Sequence, residues 1–456
     1  MIPLTEFERR SMSGPVMGEQ EFDMSFAKKV RDVVRRYPMT FDRERIIADD
    51  ESADGVFEAG VDLLSEIGLY NRDTQRVIRL TRAEVVQIAK DVWDGPREVT
   101  FGKGKEEVAI TYRTAEDPRT PTIWMSTGGI PSTEELYVPY VQSFLQEELC
   151  QGTGDTPILS VAGLENKSET PAELVCADTE IKLRMEVARR VGKPGAYIGN
   201  SSATSPQAVI ATCFDGGLDR YNAMIPIHLM PELKLNWGRL VLGVFLEQRG
   251  MVPWISASSI MGGLCRNPEE TAVAQVASLL AQLGYGHGTI ARVAGSGMDG
   301  VASHRETMGV YSLSARASER HIGVPMGAWS LSVAGAGTEM AFYEKAAQTV
   351  TMVASGATWL STMGCRKGVG VNLTSGLEGR LVAETAIAVC GMKTAEANEL
   401  ITNIHGTYAD QLTSPPEGKT FPELYDVKRV QPTREYLDVY RRAKGELAKL
   451  GVPYEQ

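Results

Sequence analysis

The chain has 456 residues, of which 43% are hydrophobic and 23% charged, and such a composition is typical of a globular protein with a substantial core. Its formal net charge of −11 disfavours a nucleic acid or an anionic membrane surface as a partner. The sequence has no apolar run of about 18 residues and no signal-like N-terminus, so we expect a cytoplasmic protein without a membrane span. The six cysteines stand singly, without the spacing of a zinc site, and we expect no bound metal.

Residues 1–117 are predicted to form a helical N-terminal extension that ends in a β-hairpin. Apolar residues recur at helical spacing over Phe57–Leu69 and over Arg82–Val92, and Thr81 is suited to cap the second of these helices. Residues Val99–Tyr112 alternate between apolar and polar on both sides of Gly102-Lys103-Gly104, which predicts the hairpin.

Residues 118–395 repeat a unit of apolar run, small polar loop and amphipathic helix, at intervals of roughly 30 to 40 residues. The clearest unit surrounds residues 191–207, where a helix ends at Gly192 and a short run leads to the bare loop Gly199-Asn200-Ser201-Ser202. The repeat predicts an α/β fold, a (β/α)₈ TIM barrel, with an open doubly wound sheet as the alternative because spacing does not fix strand order. Residues 396–456 are predicted to wrap around the barrel and to end in a helix from about Thr433.

The predicted strands and helices of this region alternate along the chain. The strands are TIWMST (122–127), ILSVAG (158–163), AYIGNS (196–201), AMIPIHL (223–229), PWISASS (253–259), TIARVAGS (289–296), IGVPMGAWS (322–330) and ATWLST (357–362). The helices are Leu174–Val191, Glu232–Gln248, Glu269–Leu283, Arg305–Glu319, Thr338–Ser355 and Glu378–Val389.

A barrel of this kind carries its active site at the carboxyl ends of the strands. The candidate residues there are small, polar and short of charge, so the pocket is predicted to admit a bulky molecule or one that brings its own reactivity. They are Ser126–Gly129, Asn200–Ser201, His228, Glu232, Ser256, Ser258, Ser296–Asp299, Trp329 and Thr362–Met363.

His228 and Glu232 are predicted as a catalytic pair. They are four residues apart where the fourth predicted strand passes into its helix, so the carboxylate could orient the imidazole and make it a base. The alternative is that Glu232 interacts with the N-terminal N–H groups of the helix beside an unrelated histidine.

Two further patterns bear on ligand binding. Residues Gly295–Gly300 match GxGxxG, whose glycines would let a phosphate approach backbone N–H groups, but no dinucleotide-binding context follows and a plain flexible loop is the alternative. Four tryptophans lie in predicted strands, where aromatic rings could bind a quaternary or protonated amine by cation–π interactions, and core packing under the helices is the alternative for three of them. Trp329, late in its strand among small residues, is predicted to face the pocket.

Many short segments in one order carry a family resemblance. They are Asp73-Thr74, Gly128-Gly129, Pro194-Gly195, Glu232-Leu233-Lys234, Glu269-Glu270-Thr271, Arg305-Glu306-Thr307, Gly337–Met340, AAQTVTMVASG (346–356), Lys367–Val369, Gly418–Lys428 and Pro432–Tyr436. Through them the chain resembles the pyrrolysine-containing monomethylamine methyltransferases of methanogens over nearly its whole length. The resemblance implies a homo-oligomeric TIM barrel that passes a methyl group from an amine to the Co(I) corrinoid of a separate carrier protein, with no tightly bound cofactor of its own.

The chain departs from this family where the family's chemistry lies. The resemblance places the pyrrolysine position at Gly199, give or take one residue, the acidic positions near Pro226 and Ser256, and a glutamine position at Trp329. Because these positions change together, it implies a substrate other than monomethylamine, such as a quaternary or larger N-methyl compound, bound by Gly199, Asn200, Ser201, Pro226, Ser256 and Trp329. The alternative is a non-catalytic barrel that binds a corrinoid protein or a metabolite.

Overall fold

The computed structural model describes residues 1–230, 232–362 and 364–454, so Met363, one of the predicted strand-end candidates, lies outside the described residues. The first part of the chain contains helices α1 Leu4–Ser13, α2 Glu19–Val34, α3 Asp50–Ile67 and α4 Arg82–Trp93, and strands β1 Leu69–Asn71, β2 Arg76–Ile78, β3 Glu98–Phe101 and β4 Val108–Thr111. The predicted helices and hairpin are present. Thr81 and Glu84 form a capping box at α4, and β3 pairs antiparallel with β4.

The strands that follow are β5 Thr122–Met125, β6 Gly152–Thr153, β7 Ser160–Val161, β8 Leu164–Glu165, β9 Met224–Pro226, β10 Lys234–Leu235, β11 Val252–Ala257, β12 Ile260–Met261, β13 Ile290–Val293, β14 Ser296–Gly297, β15 Met326–Ser330 and β16 Trp359–Thr362. The helices between them are α5 Glu134–Leu145, α6 Pro171–Arg190, α7 Pro206–Ala211, α8 Trp237–Arg249, α9 Pro268–Gly286, α10 Arg305–His321, α11 Glu339–Ala354 and α12 Gly376–Ala388. The C-terminal part contains α13 Thr394–Gly406, α14 Phe421–Leu424, β17 Tyr425–Asp426, β18 Gln431–Pro432 and α15 Arg434–Leu450. None of the described helices is both long and apolar enough to cross a membrane.

Seven strands form one parallel sheet in the order β6-β5-β16-β15-β13-β11-β9. The edge strands β6 and β9 flank the segment around Tyr197, which forms an isolated parallel bridge with Gly152. On the other side of that segment, the N–H groups of Ile198 and Gly199 donate to the carbonyl of Asn222, just before β9. The structure is therefore an α/β fold built on a curled, seven-stranded parallel sheet with helices on its outside.

Three predicted elements of this region are wrong. AYIGNS (196–201) forms no strand, and its only bridge in the described chain is the isolated one of Tyr197. ILSVAG does not enter the sheet, because Ser160–Val161 pairs antiparallel with Leu164–Glu165 in a separate hairpin. The strand that takes its place is β6, only Gly152–Thr153. The helix expected from Glu232 begins only at Trp237, because Lys234-Leu235 pairs with β1 and the Lys234 ammonium binds the carboxylates of Glu19 and Asp23.

The inner face of the sheet is filled at the amino ends of the strands. Side chains of five sheet strands and of Tyr197 meet the hairpin β3–β4 in one apolar cluster. It contains Val99, Phe101, Ile110, Trp124, Tyr197, Met224, Trp254, Ile290 and Trp359. The hairpin is attached there by backbone hydrogen bonds, from Gly102 N–H to Tyr221 and from Lys103 N–H to Gly195. We call this cluster the aromatic floor.

Candidate functional site

A layer of smaller residues lies on the inner face beyond the aromatic floor, toward the carboxyl ends of the strands. Side chains two residues apart on a strand point to the same face, so the residues two positions after the strand members of the floor share its face. Gly154 and Trp329 also share it, because a Cβ on Gly152 or Gly327, two positions earlier, would contact Trp124 or Trp359 of the floor. The layer, which we call the strand-end layer, consists of Ser126, Gly154, Gly199, Pro226, Ser256, Arg292, Trp329 and Ser361. Ser126 and Ser361 are joined through their hydroxyls at 3.0 Å.

Arg292 on β13 is the charged member of this layer. Its side chain is buried, with an exposed fraction of 3%. Ser256 Oγ accepts hydrogen bonds from Nε at 3.0 Å and from Nη2 at 2.5 Å. The guanidinium carbon lies 3.0 Å from the ring centroid of Trp329 and 4.8 Å from that of Trp254. Arg292 is thus held by hydrogen bonds to a serine, and its guanidinium lies over the rings of two tryptophans.

One end of this guanidinium has no partner. Nη1 of Arg292 is buried and makes no hydrogen bond, and none of the described carboxylates lies within 4.0 Å of the side chain. Burial lowers the pKa of Arg292 well below its ordinary value, whereas the charge of Asp155 opposes that shift. A buried charge without a paired charge is costly, by several kcal/mol. The sequence carried a signal for this residue, an arginine inside the otherwise apolar run TIARVAGS.

The predicted substrate-binding residues Gly199, Pro226, Ser256 and Trp329 all lie in the strand-end layer. The structure changes the role expected of Trp329, because the guanidinium of Arg292 covers a face of its indole ring. A cation of the chain itself occupies the position foreseen for a substrate cation. The predicted Asn200 and Ser201 are buried just beyond the layer, and the Asn200 amide donates to the Ser201 carbonyl at 2.7 Å.

The loop that contains Gly199 is held from outside by a second buried arginine. Arg184 on α6 donates from Nη1 to the carbonyls of Gly154 at 2.9 Å and Ile198 at 2.6 Å, and from Nη2 to that of Asn200 at 2.7 Å. One turn earlier, the Glu180 carboxylate accepts from the N–H of Ser202 at 3.0 Å. The helix prediction placed both residues on a helix but missed this positioning role, whose signal is a charged i, i+4 pair on its buried face.

Gly199 is required by the backbone. Its φ is +73°, and a Cβ at this position would lie 2.7 Å from the Cα of Gly154. Only glycine adopts this conformation without strain, and the neighbouring chain leaves no room for a side chain. In this chain, position 199 therefore cannot present a long side chain to the pocket.

His228 and Glu232 are not brought together. The His228 ring lies edge-on to Trp254 at 4.8 Å between centroids, and its Nδ1 is buried without a hydrogen-bond partner. Burial and the charge of Arg292 lower the pKa of His228 well below 6.5, which keeps the imidazole neutral. Burial raises the pKa of Glu232. The charges that act on its carboxyl group are those of Lys234 and Asp23, and not that of His228. No hydrogen bond or ion pair between the two is found among the described residues, because the helix that would align them starts later; their catalytic assignment stays a prediction.

Asp155 is a site residue that sequence reasoning missed. It follows Gly154 of the strand-end layer, and burial raises the pKa of its carboxyl while the charges of Arg184 and Arg292 lower it. Within the described ranges, its carboxylate forms no ion pair within 4.0 Å. Its position in the sequence was the available hint, because this acid closely follows the short strand Gly152–Thr153. That strand carries no apolar pattern, so the hint was easy to miss.

Two glycines of the GxGxxG loop lie in close contact with neighbouring groups. A Cβ on Gly295 would lie 1.9 Å from the Thr307 carbonyl, and one on Gly297 would lie 2.6 Å from Asp299 Oδ1. These glycines serve close packing, and the nearby Asp299 carboxylate disfavours a phosphate. In the part of the chain that the structure describes, no group of three or more His, Cys, Asp or Glu side chains could hold a metal ion.

The sequence of this chain is similar to those of known proteins over nearly its whole length. The family described as monomethylamine methyltransferase MtmB matches residues 2–452. The chain belongs to this family. It is 27% identical to MtmB2 of Methanosarcina acetivorans and to MtmB of Methanosarcina mazei, in each case over 98% of both chains.

Solved structures of MtmB have the same fold as this chain. The crystal structure of Methanosarcina barkeri MtmB superposes with a TM-score of 0.95 at 26% identity, covering 99% of this chain and 98% of that one. The structure of a hydroxylamine MtmB complex superposes with a TM-score of 0.94. Membership in the MtmB family supports a methyltransferase with an MtmB fold.

Proposed function

We propose that this protein transfers a methyl group from a small N-methylated compound other than monomethylamine to the Co(I) corrinoid of a separate carrier protein. One observation carries the proposal: an MtmB fold is retained over almost the whole chain, while Gly199, at the position that the resemblance assigns to pyrrolysine, has a backbone that excludes any long side chain. The chain keeps the fold of the family but has no pyrrolysine at this position, whose imine ring, as the resemblance implies, presents the amine to the cobalt and is called the activating ring below.

The proposed reaction is a displacement at the methyl carbon. The electron pair of Co(I) forms the Co–CH₃ bond, and the pair of the breaking N–CH₃ bond stays on nitrogen, so the products are methyl-Co(III) and a demethylated amine. A quaternary donor nitrogen, whose positive charge cannot be lost as a proton, leaves as a neutral amine and needs no ring to activate it. The protein then has to hold the methyl group in line with the cobalt, which is a matter of positioning.

The strand-end layer suits a donor larger than monomethylamine. Apart from Arg292 and Trp329 its members are serine, glycine and proline, whose side chains are small. Neutral His228, edge-on to Trp254, is able to accept a hydrogen bond from a donor N–H.

Three features of the family are part of the proposal. The Tyr197 segment closes the sheet into a (β/α)₈ barrel, which is supported by its bridge to Gly152 and its hydrogen bonds to Asn222. The protein is a cytoplasmic homo-oligomer, and light scattering should report a multiple of the chain mass of 49.7 kDa. A monomer in that measurement would contradict the oligomer.

The test is a spectroscopic methyl-transfer assay. The protein is mixed with a corrinoid carrier protein reduced to Co(I) and with a panel of N-methyl compounds, and conversion of the Co(I) spectrum to that of methyl-Co(III) is followed. We expect conversion with at least one compound and none in the mixture that lacks this protein. Absence of conversion with every compound and every carrier tried would overturn the proposal and favour the non-catalytic barrel.

A further inference from the structure

The unpaired guanidinium of Arg292 differs from the other deeply buried arginines. Arg113 and Arg184 direct their Nη atoms at backbone carbonyls, Arg113 at Ala357 and Asp117 and Arg184 at the loop of Gly199. Arg292 is as buried as Arg113, at 3%, yet its Nη1 donates to nothing. Arg113 and Arg184 each leave a buried Nε without a partner as well, but within the described chain only Arg292 of the three leaves a terminal Nη unpaired. An unmet buried donor costs about 1–3 kcal/mol, and more when it is charged.

The free end of Arg292 is fixed in orientation. Ser256 accepts hydrogen bonds from Nε and Nη2, and the guanidinium carbon lies over the Trp329 ring. The side chain therefore presents Nη1 from a rigid plane. A planar guanidinium with free N–H groups is the geometry that proteins use to recognise carboxylates.

We propose that Arg292 binds a carboxylate of the methyl donor, so that the donor is an N-methylated amino acid rather than a simple methylamine. This inference rests on the proposed function and specifies its substrate class. It assigns Arg292 as a substrate-binding residue and Ser256 as the residue that positions it.

Asp155 supplies the complementary charge. Its carboxylate acts electrostatically on Arg292, yet the two side chains are not within ion-pair distance. The protein thus holds a buried cation and an acid at the same end of the sheet without joining them. A zwitterion satisfies both, with its carboxylate on Arg292 and its methylated ammonium toward Asp155. A donor with only a positive charge would instead be repelled by the guanidinium of Arg292.

Binding to the protein alone tests the inference. Calorimetry compares N-methylglycine, N,N-dimethylglycine and N-methyl-β-alanine with their carboxylate-free counterparts N-methylethylamine, N,N-dimethylethylamine and N-methylpropylamine. We expect at least one amino acid to bind at least tenfold more tightly than its counterpart. Arg292→Lys should weaken that binding at least tenfold, whereas Arg441→Lys, a change at an exposed arginine of α15, should leave it unchanged.

The outcomes separate this inference from the proposed function. If no amino acid binds more tightly than its counterpart, or if Arg292→Lys binds as the wild type does, the inference is overturned. If Arg292→Lys does not fold, Arg292→Met answers the same question. Carboxylate-dependent binding without any methyl-Co(III) supports the anion site and overturns methyl transfer. Methyl-Co(III) formed equally well from a carboxylate-free amine supports methyl transfer and overturns the anion site.

Discussion

The guanidinium of Arg292 lies on the indole ring of Trp329, with its carbon 3.0 Å from the ring centroid. The two residues come from neighbouring strands, β13 and β15, and both lie on the inner face of the sheet. A cation–π contact of this kind is worth on the order of 2 kcal/mol when it is desolvated. The indole therefore stabilises a charge that belongs to the protein, and the site is organised around a fixed cation.

A double-mutant cycle should detect this contact. Trp329→Leu should lower the free energy of unfolding by about 0.5–2 kcal/mol more in the wild type than in an Arg292→Met background, because only the wild type has a cation to lose. Trp329→Phe, which keeps a ring, should show a smaller difference. Urea unfolding of the four proteins of the cycle measures the coupling. Equal effects of Trp329→Leu in both backgrounds would mean that the contact contributes nothing.

Replacement of Arg292 by an apolar residue should stabilise the empty protein. Arg292→Met removes a buried charge without a paired carboxylate and should raise the free energy of unfolding by about 1–2 kcal/mol. Arg113→Met is the matched control, because its guanidinium donates to the Ala357 and Asp117 carbonyls and its loss leaves them unpaired. The midpoint temperature of thermal unfolding should rise for Arg292→Met and fall for Arg113→Met. A drop of similar size in both would mean that Arg292 is structural.

Gly199→Ala should be among the more damaging single substitutions in the loop. The alanine has to adopt a φ of +73° and also places its Cβ 2.7 Å from Gly154. Gly192 has a φ of +77° with nothing within 4 Å of the Cβ position, so Gly192→Ala carries only the backbone strain of about 1–2 kcal/mol. The difference between their unfolding free energies measures the close approach of the Gly154 backbone. Equal losses would show that the loop moves aside at no cost.

Stability should fall in acid in a way that depends on His228. Burial and the charge of Arg292 lower the pKa of His228 below 6.5, so the folded protein keeps a neutral ring where the unfolded chain binds a proton. Unfolding then takes up a proton, and stability decreases as the pH falls below about 6.5, by at most about 1.4 kcal/mol per pH unit for one group. His228→Phe should flatten the curve of thermal midpoint against pH between pH 7 and 5. His405, whose pKa burial lowers to about 4, contributes in the same direction and remains in both proteins. Parallel curves for the two proteins would contradict a buried, neutral His228.

Monomethylamine should not be a substrate. No residue at or beside Gly199 supplies an activating ring, and a primary amine is a poor leaving group. The methyl-Co(III) assay with monomethylamine should give the same trace as the mixture without substrate, while an MtmB of Methanosarcina serves as the positive control. Methyl-cobalt formed at a rate comparable to that control would refute the prediction.

The local sequence pattern was sufficient to predict the position of a residue where that position depends only on its own strand or helix. Ser256 and Trp329 were predicted at the strand ends because alternation along a strand is a local property. The helices α4 and α10 were predicted from periodicity and caps, and both are present. Family resemblance placed Gly199 and Pro226 in the same pocket, and they lie in the strand-end layer.

The remaining features depend on contacts between distant parts of the chain. Gly152–Thr153 is a strand because Trp124 and Tyr197 flank it, and its own residues carry no apolar signal. Lys234-Leu235 is a strand because β1, near the N-terminus, offers it a partner. Arg292 has an unpaired end only because the neighbouring strand places a serine, and not an acid, opposite it. None of these three features can be predicted from the residues next to them in the sequence.

The hairpin β3–β4 limits the side from which molecules can reach the proposed site. Its Phe101 packs edge-on to Trp124 and to Tyr197, and this plug seals the amino end of the sheet. In the proposed reaction, the small donor and the bulky methyl acceptor would therefore both approach from the carboxyl ends of the strands. An acceptor that covers those ends would keep the donor out, so the donor should bind before the acceptor. The packing of a short hairpin thus bears on the order of binding in the proposed reaction.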